Sequence, residues 1–223
     1  MRRPDLIDAL RTLGTEREDT IVVISDLARL GALQDVTPER DCQVRGYFDC
    51  IQDAARTDCT ITVPTFTFST SRLHKPYVHE STPSEAGVLT EHVRQIPGAR
   101  RGVHPIFSFA SIGNRRDEMC LSVSRHSYGI GSTTHRLVEA DALVLCLGLS
   151  PHRGSFAIHH GEVLAGAPYR HITQLFVPVS VEGVSVPGPF FHYAKYPDAD
   201  LEWDTNRLVE RLLRAERIQF APA

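Results

Sequence analysis

With 223 residues, 42% hydrophobic and 23% charged, the chain has ordinary globular composition and is long enough for one sizeable core. A net charge of -3 and the absence of any Lys/Arg block give no footprint for nucleic acid. The longest apolar run, "ALVLCLGL", is too short to cross a bilayer, and "MRRPDLIDAL", interrupted by Pro4, Asp5 and Asp8, does not read as a signal peptide.

Leu6, Ile7, Leu10 and Leu13 recur at helical spacing, and Gly14 closes that first helix. "TIVVIS" (20 to 25) reads as a buried strand ending in the polar pair Ser25-Asp26. A helix follows over 38 to 56, begun at Thr37-Pro38. "CTITVPTFTF" (59 to 68) reads as a strand with Pro64 at a bulge or exit, then residues 69 to 83 as a long polar loop. "PSEAGVLTEHVRQI" predicts a helix from Pro83 to the stop at Pro97-Gly98. "HPIFSFASIG" predicts a strand, "STTHRLVEA" a helix, and "DALVLCLGL" the clearest buried strand. "QLFVPVSVEGV" suggests a hairpin turning at Glu182-Gly183, "FFHYAKY" another strand, and "DTNRLVERLLRAE" an amphipathic helix capped by Asp204 or Thr205. The sum is one α/β unit over residues 1–223: three layers, α/β/α, around a mixed central sheet, with a smaller hairpin-rich C-terminal part.

The chemistry concentrates in "SFAIHHGE" (155 to 162). His159 and Glu162 are three apart, so on a helix they share a face while His160 points elsewhere. A carboxylate there can accept a hydrogen bond from one imidazole nitrogen, fix the tautomer and leave the other nitrogen as a general base. Two further readings stay open: a metal site completed by His104 or His126, and plain packing of His159 with Glu162 in solvent. The sequence lacks HExxH, G-x-S-x-G, G-x-G-x-x-G and the P-loop pattern. "YGIGSTTHRLVE" (128 to 139) is a small-residue loop running into a helix; its backbone N–H groups could receive a phosphate or a carbonyl oxygen, or simply begin a capped helix. Five cysteines (Cys42, Cys50, Cys59, Cys120, Cys146) without a CxxC pair suggest free thiols, a cytoplasmic setting and no covalent nucleophile beside a histidine.

Taken in order, "VVISDLARLG", "TITVPTFTFS", "TPSEAGVLTEHVRQIPGARRGVHPIFSFASIG", "HSYGIGSTTHRLVEADALVLCLGL" and "SFAIHHGEVLAGAPYRH" resemble successive motifs of the aminoglycoside 3-N-acetyltransferase family. Each motif is weak alone; five in sequence over residues 20 to 172 are a strong joint signal. The resemblance implies direct acyl transfer from acetyl-coenzyme A, or another short acyl-coenzyme A, to a primary amine, without a metal. His159 matches the family's catalytic histidine, Glu162 its carboxylate partner, and Ser155 a hydroxyl near the thioester. Coenzyme A contacts are implied for Ser25, Asp26, Thr65, His104, Ser108, Gly129 and Ser132. Acceptor contacts are implied for Thr67, Ser84, Arg101 and Arg170, with Gly87 in the same cleft.

The segment "SFAIHHGE...APYRHITQLF...FFHYAKY" looks closer to the branch acting on nucleotide-linked amino sugars. Arg72, Lys75, Arg94, Arg100, Arg101 and Arg170 beside Glu80, Glu85 and Glu91 suit an anionic acceptor at least as well as a polycation. The alternatives are an aminoglycoside 3-N-acetyltransferase conferring antibiotic resistance and a degenerate ligand-binding homologue. Partners are then small molecules, with no nucleic acid or membrane, and a homodimer is open. Two departures stand out: Arg101-Gly102 where relatives often have Arg-Ser, and an end at "ERIQFAPA" earlier than the pattern implies, which bears on whether the acceptor pocket is complete.

Overall fold

The computed structural model describes residues 1–150, 156–199 and 205–221. Its strands in chain order are β1 (Thr20–Ser25), β2 (Thr60–Pro64), β3 (Tyr77–Val78), β4 (Arg100–Arg101), β5 (Phe109–Ile112), β6 (Leu143–Leu147), β7 (Arg170–Leu175), β8 (Val179–Val181), β9 (Val184–Ser185) and β10 (Phe190–Lys195). A five-stranded sheet runs β4-β5-β2-β1-β6; β1 is parallel to β2 and β6, while β5 is antiparallel to β2 and β4.

Period-two alternation along β1 builds the layers. Ile21 and Val23 face one core with α1 (Arg3–Thr12), α3 (Arg40–Ala54) and α5 (Val88–Gln95), where α2 is the short turn Leu27–Leu30 and α4 is Phe68–Arg72. Val22 faces the other way, into Met119 and Cys120 of α6 (Arg116–Cys120) and Leu137 of α7 (Thr133–Glu139). The expected three layers around a mixed sheet are therefore present. The C-terminal part holds α8 (Ile158–Leu164), the antiparallel ribbon β7–β10, the small sheet β3-β8-β9 and α9 (Thr205–Arg214). Among the described residues no helix is long and apolar enough to cross a membrane.

Several local expectations shift. α5 starts at Val88, not Pro83, because Gly87 has φ 137°, which no helix accommodates; Glu91 instead reaches back and accepts from the Ser84 N–H at 2.7 Å. β2 ends at Pro64 and Phe68 opens a helical turn, so the strand expected to 68 is shorter. The loop expected over 69 to 83 contains β3, whose Tyr77 N–H donates to the Pro178 carbonyl. Residues 104 to 108 turn before β5 begins at Phe109. The hairpin does turn at Glu182-Gly183, both at positive φ (50° and 75°), but it joins β8 to β9. β7 lies outside it and pairs with β10. β6 is a correction of a different kind: it is the sheet's edge, and Val144 is 41% exposed, so its apolar run does not mean burial on both faces. The cap expected at Asp204 or Thr205 falls on a residue and a side chain outside the described set.

Candidate active site

β1, β2 and β6 are parallel, so their C-terminal tips share one side of the sheet, the side where open α/β sheets place ligands. Ser25 and Asp26 leave β1 there, half-buried; Thr65 to Thr67 leave β2; and the chain after β6 leads into α8. A separate cleft of about 180 Å³ opens between α7 and the start of β6, bounded by Val22, Leu137, Asp141, Val144 and Phe156; neither His159 nor Glu162 lines it.

On α8 the i, i+3 pair forms as its spacing implies. His159 Nδ1 lies 2.7 Å from Glu162 Oε2; the imidazole is 29% exposed and the carboxylate 6%. The packing reading with Glu162 in solvent is thereby excluded. Around the carboxylate, Tyr169 donates its hydroxyl to Oε1 at 2.9 Å, and the Arg170 guanidinium pairs with Oε2 at 2.6 Å. The Tyr193 hydroxyl, from β10, donates to the Glu162 carbonyl at 3.1 Å and so braces the helix itself.

The proton inventory follows from these distances. Arg170 Nη2 lies 3.0 Å from His159 Nδ1, beside the carboxylate. Both cannot bond Nδ1 at once: Glu162 Oε2, the nearer at 2.7 Å, takes the Nδ1 proton, which leaves Nε2 as the basic nitrogen and makes the Arg170 Nη2 approach a charge contact with the pair rather than a hydrogen bond to the ring. The imidazole's pKa is lowered, first by burial and also by Arg170, against the raising effect of the Glu162 hydrogen bond. His159 therefore combines a lowered pKa, a carboxylate partner at 2.7 Å and a ring that stays 29% exposed.

Many of the other residues singled out in the sequence are spent inside the protein. His104 is buried: its Nδ1 accepts from the Ile106 and Phe107 N–H groups and its Nε2 donates to the Phe191 carbonyl, so neither nitrogen is left for coenzyme A or a metal. Arg101, 7% exposed, donates to the carbonyls of Thr65, His79 and Thr82 and to the Ser108 hydroxyl, with its guanidinium over Tyr77. Thr65 and Ser108 bond each other at 2.8 Å, and Thr67 donates to the Pro105 carbonyl at 2.7 Å. Ser84 shares a hydrogen bond with Thr90. Ser132 caps α7, accepting from the His135 N–H and donating to the Gly129 carbonyl. Arg170 is held by Glu162 rather than facing an acceptor. Ser155 lies outside the described residues. Ser25 and Asp26 remain half-buried at the β1 tip.

Metal and thiol chemistry gain no geometry. Among the described residues no group of three or more His, Cys, Asp or Glu could hold an ion. Burial raises the thiols of Cys50, Cys59 and Cys120 to about 11. Sequence reasoning missed three side chains near the pair: Tyr169, Tyr193 and His192, the last with its pKa lowered by burial and by the nearby charges of Arg170 and His159. Tyr169 stands seven residues after Glu162, a signal within local reach; the other two arrive only through the pairing of β10 with β7.

Set against known proteins, residues 23–220 match the family model described as aminoglycoside 3-N-acetyltransferase. Aminoglycoside N(3)-acetyltransferase VII of Streptomyces paromomycinus is 30% identical over 178 residues, covering 78% of this chain; the chain spans 58% of that relative's length. The solved structure of aminoglycoside acetyltransferase AAC(3)-Xa superposes with a TM-score of 0.79 at 22% identity, over 97% of this chain and 82% of that one. AAC-IIIb in a binary complex with CoASH superposes at 0.77 and 23% identity, over 96% and 85%. At these identities the two structures speak for the fold.

Proposed function

The chain belongs to the aminoglycoside 3-N-acetyltransferase family, and on that premise we propose that it moves an acetyl or short acyl group from coenzyme A to a primary amine of an amino sugar by direct transfer. The observation that carries the reading is the His159 Nδ1 to Glu162 Oε2 contact at 2.7 Å, closed by Arg170 and Tyr169. His159 Nε2 removes the amine proton as nitrogen attacks the acyl carbon. Glu162 steadies the imidazolium that results. The proton then passes to the departing sulfur, and the neutral base is restored.

For the acceptor, we favour an aminoglycoside-type amine over the nucleotide-linked sugar suggested by the sequence. The curated relative is named for aminoglycoside N(3)-acetylation, and the AAC-IIIb structure supports coenzyme A as donor. The basic residues that seemed to suit an anionic acceptor are largely neutralised within the fold: Arg94 pairs with Glu91 at 2.6 Å, Arg100 with Asp117 at 2.9 Å and Arg170 with Glu162. Arg101 is buried among carbonyls.

The test is thiol release from acetyl-coenzyme A across a panel of aminoglycosides and nucleotide-linked amino sugars. Release is expected with aminoglycosides. His159→Ala should lower turnover by about 10²- to 10⁴-fold while coenzyme A still binds by calorimetry. Unchanged turnover in that variant would reject the base; turnover with nucleotide-linked sugars alone would reverse the choice of acceptor.

A further inference from the structure

His192, on β10, faces the dyad without belonging to it. Its ring stacks on Phe107 at 5.1 Å with planes within 20°. Phe107 meets Tyr128 at 5.4 Å and Tyr128 meets His159 at 5.4 Å, so four rings make one continuous wall. Burial, with Arg170, His159 and His171 nearby, depresses the His192 pKa to about 4, which leaves the ring neutral. Its Nδ1 is buried with no hydrogen-bond partner among the described residues. An N–H sealed there would waste a donor, so the proton belongs on Nε2, the nitrogen still able to meet a ligand.

Several neighbouring donors are already engaged. In the small-residue loop after Tyr128, the Gly129 N–H donates to His160 Nδ1 and the Gly131 N–H to His135 Nδ1, each at 3.3 Å. The Ser132 hydroxyl is spent on the Gly129 carbonyl. Three of the donors that the loop's sequence suggested are thus engaged within the protein, while the Thr134 hydroxyl, buried at the start of α7, has no hydrogen-bond partner among the described residues.

We propose that His192 is a catalytic residue, its Nε2–H donating to the acyl carbonyl oxygen as that oxygen gains negative charge across from the His159 base. The proposal rests on the acyltransferase reading. As the C–N bond forms, the carbonyl electron pair moves onto the oxygen held by His192. When the pair returns, the C–S bond breaks, and the sulfur takes the proton that His159 removed from the amine. A neutral imidazole suits the role because it stabilises the oxygen without giving up its proton.

The experiment compares wild type with His192→Gln, His192→Asn and His192→Phe, using acetyl-coenzyme A and the best amine of the panel. Gln carries an amide nitrogen near the Nε2 position, Asn near Nδ1, and Phe keeps the stack without a donor. Phe and Asn are expected to lower kcat by about 10²-fold, the size of one lost oxyanion donor, with KM for acetyl-coenzyme A unchanged and Gln recovering much of the loss. Thermal melts identify any variant that fails to fold, and nitrogen-15 NMR of the wild type at pH 7 should place the His192 proton on Nε2. Full kcat in the Phe variant, equal activity of Asn and Gln, an effect confined to the acceptor's KM, or a proton on Nδ1 would each overturn the assignment. A wild-type chain releasing no thiol with any amine would instead sink the transferase reading and this role with it, while the NMR result would still report the tautomer.

Discussion

At Glu162 a single buried carboxylate collects His159, Tyr169 and Arg170, and the i, i+3 spacing accounts for only the first of these. Arg170 acts on the proposed base, His159, through charge as well as geometry. Burial is the largest influence lowering the His159 pKa, and Arg170 adds to it. Since the proposed base works neutral, activity should be full above that lowered pKa and lost as pH falls through it. Arg170→Gln removes one depressing influence, so the acid limb of the kcat/KM profile should move to higher pH. The same change loosens Glu162, and misplacing a reacting group by an ångström costs up to about 10²-fold in rate. A limb that stays in place in the variant would mean that Arg170 acts through orientation alone. Read as sequence, "IHHGE" and "APYRH" are visible, but the resemblance implies an acceptor contact for Arg170 and not its pairing with Glu162. Its direction is fixed by β7, where it lies opposite Lys195 of β10 with its guanidinium 5.5 Å from the Tyr193 ring.

Elements were legible where one pattern ran unbroken: the continuous apolar run of β1, and the helical stretch "STTHRLVEA" that became α7. They were misread where one residue decided the outcome. Gly87 at φ 137° delays α5, and the edge position of β6 leaves Val144 exposed although its composition resembles a central strand. His104 shows a further limit: "HPIFSFASIG" reads as one strand, yet the histidine folds residues 104 to 107 into a turn and ties it to β10 through the Phe191 carbonyl. That tie carries a pH dependence. The His104 pKa falls from 6.5 to about 4 on burial, so the folded state resists protonation. Stability is full above pH 6.5 and declines as pH drops toward 4, by about 3 kcal/mol for a shift of this size. Urea denaturation of wild type and His104→Asn at pH 7 and pH 4.5 checks this: the variant should be less stable at pH 7, with a smaller loss between the two pH values. An equal loss in both would assign the acid sensitivity to other groups.

For the molecule as a whole, the comparisons identify the family and the superpositions support the architecture, although the chain spans 58% of the Streptomyces paromomycinus relative. The proposed co-substrate should bind the folded chain and not the unfolded one. At 100 times its dissociation constant it would add about 2.7 kcal/mol, roughly 5–10 °C in Tm for a domain of this size. A thermal-shift titration with acetyl-coenzyme A reads this directly, and His159→Ala should respond like wild type. No shift in either protein would mean that the donor is not a coenzyme A ester.

The order in which the pieces occur along the chain has its own outcome during translation. Every strand of the main sheet has been made by Leu147, before His159, Glu162 or the returning β10 leaves the ribosome. A nascent chain can thus pair its framework before the proposed base has been made. The surroundings of Glu162 are complete only once the last ribbon docks, bringing Tyr193 to the Glu162 carbonyl and His192 to the aromatic wall.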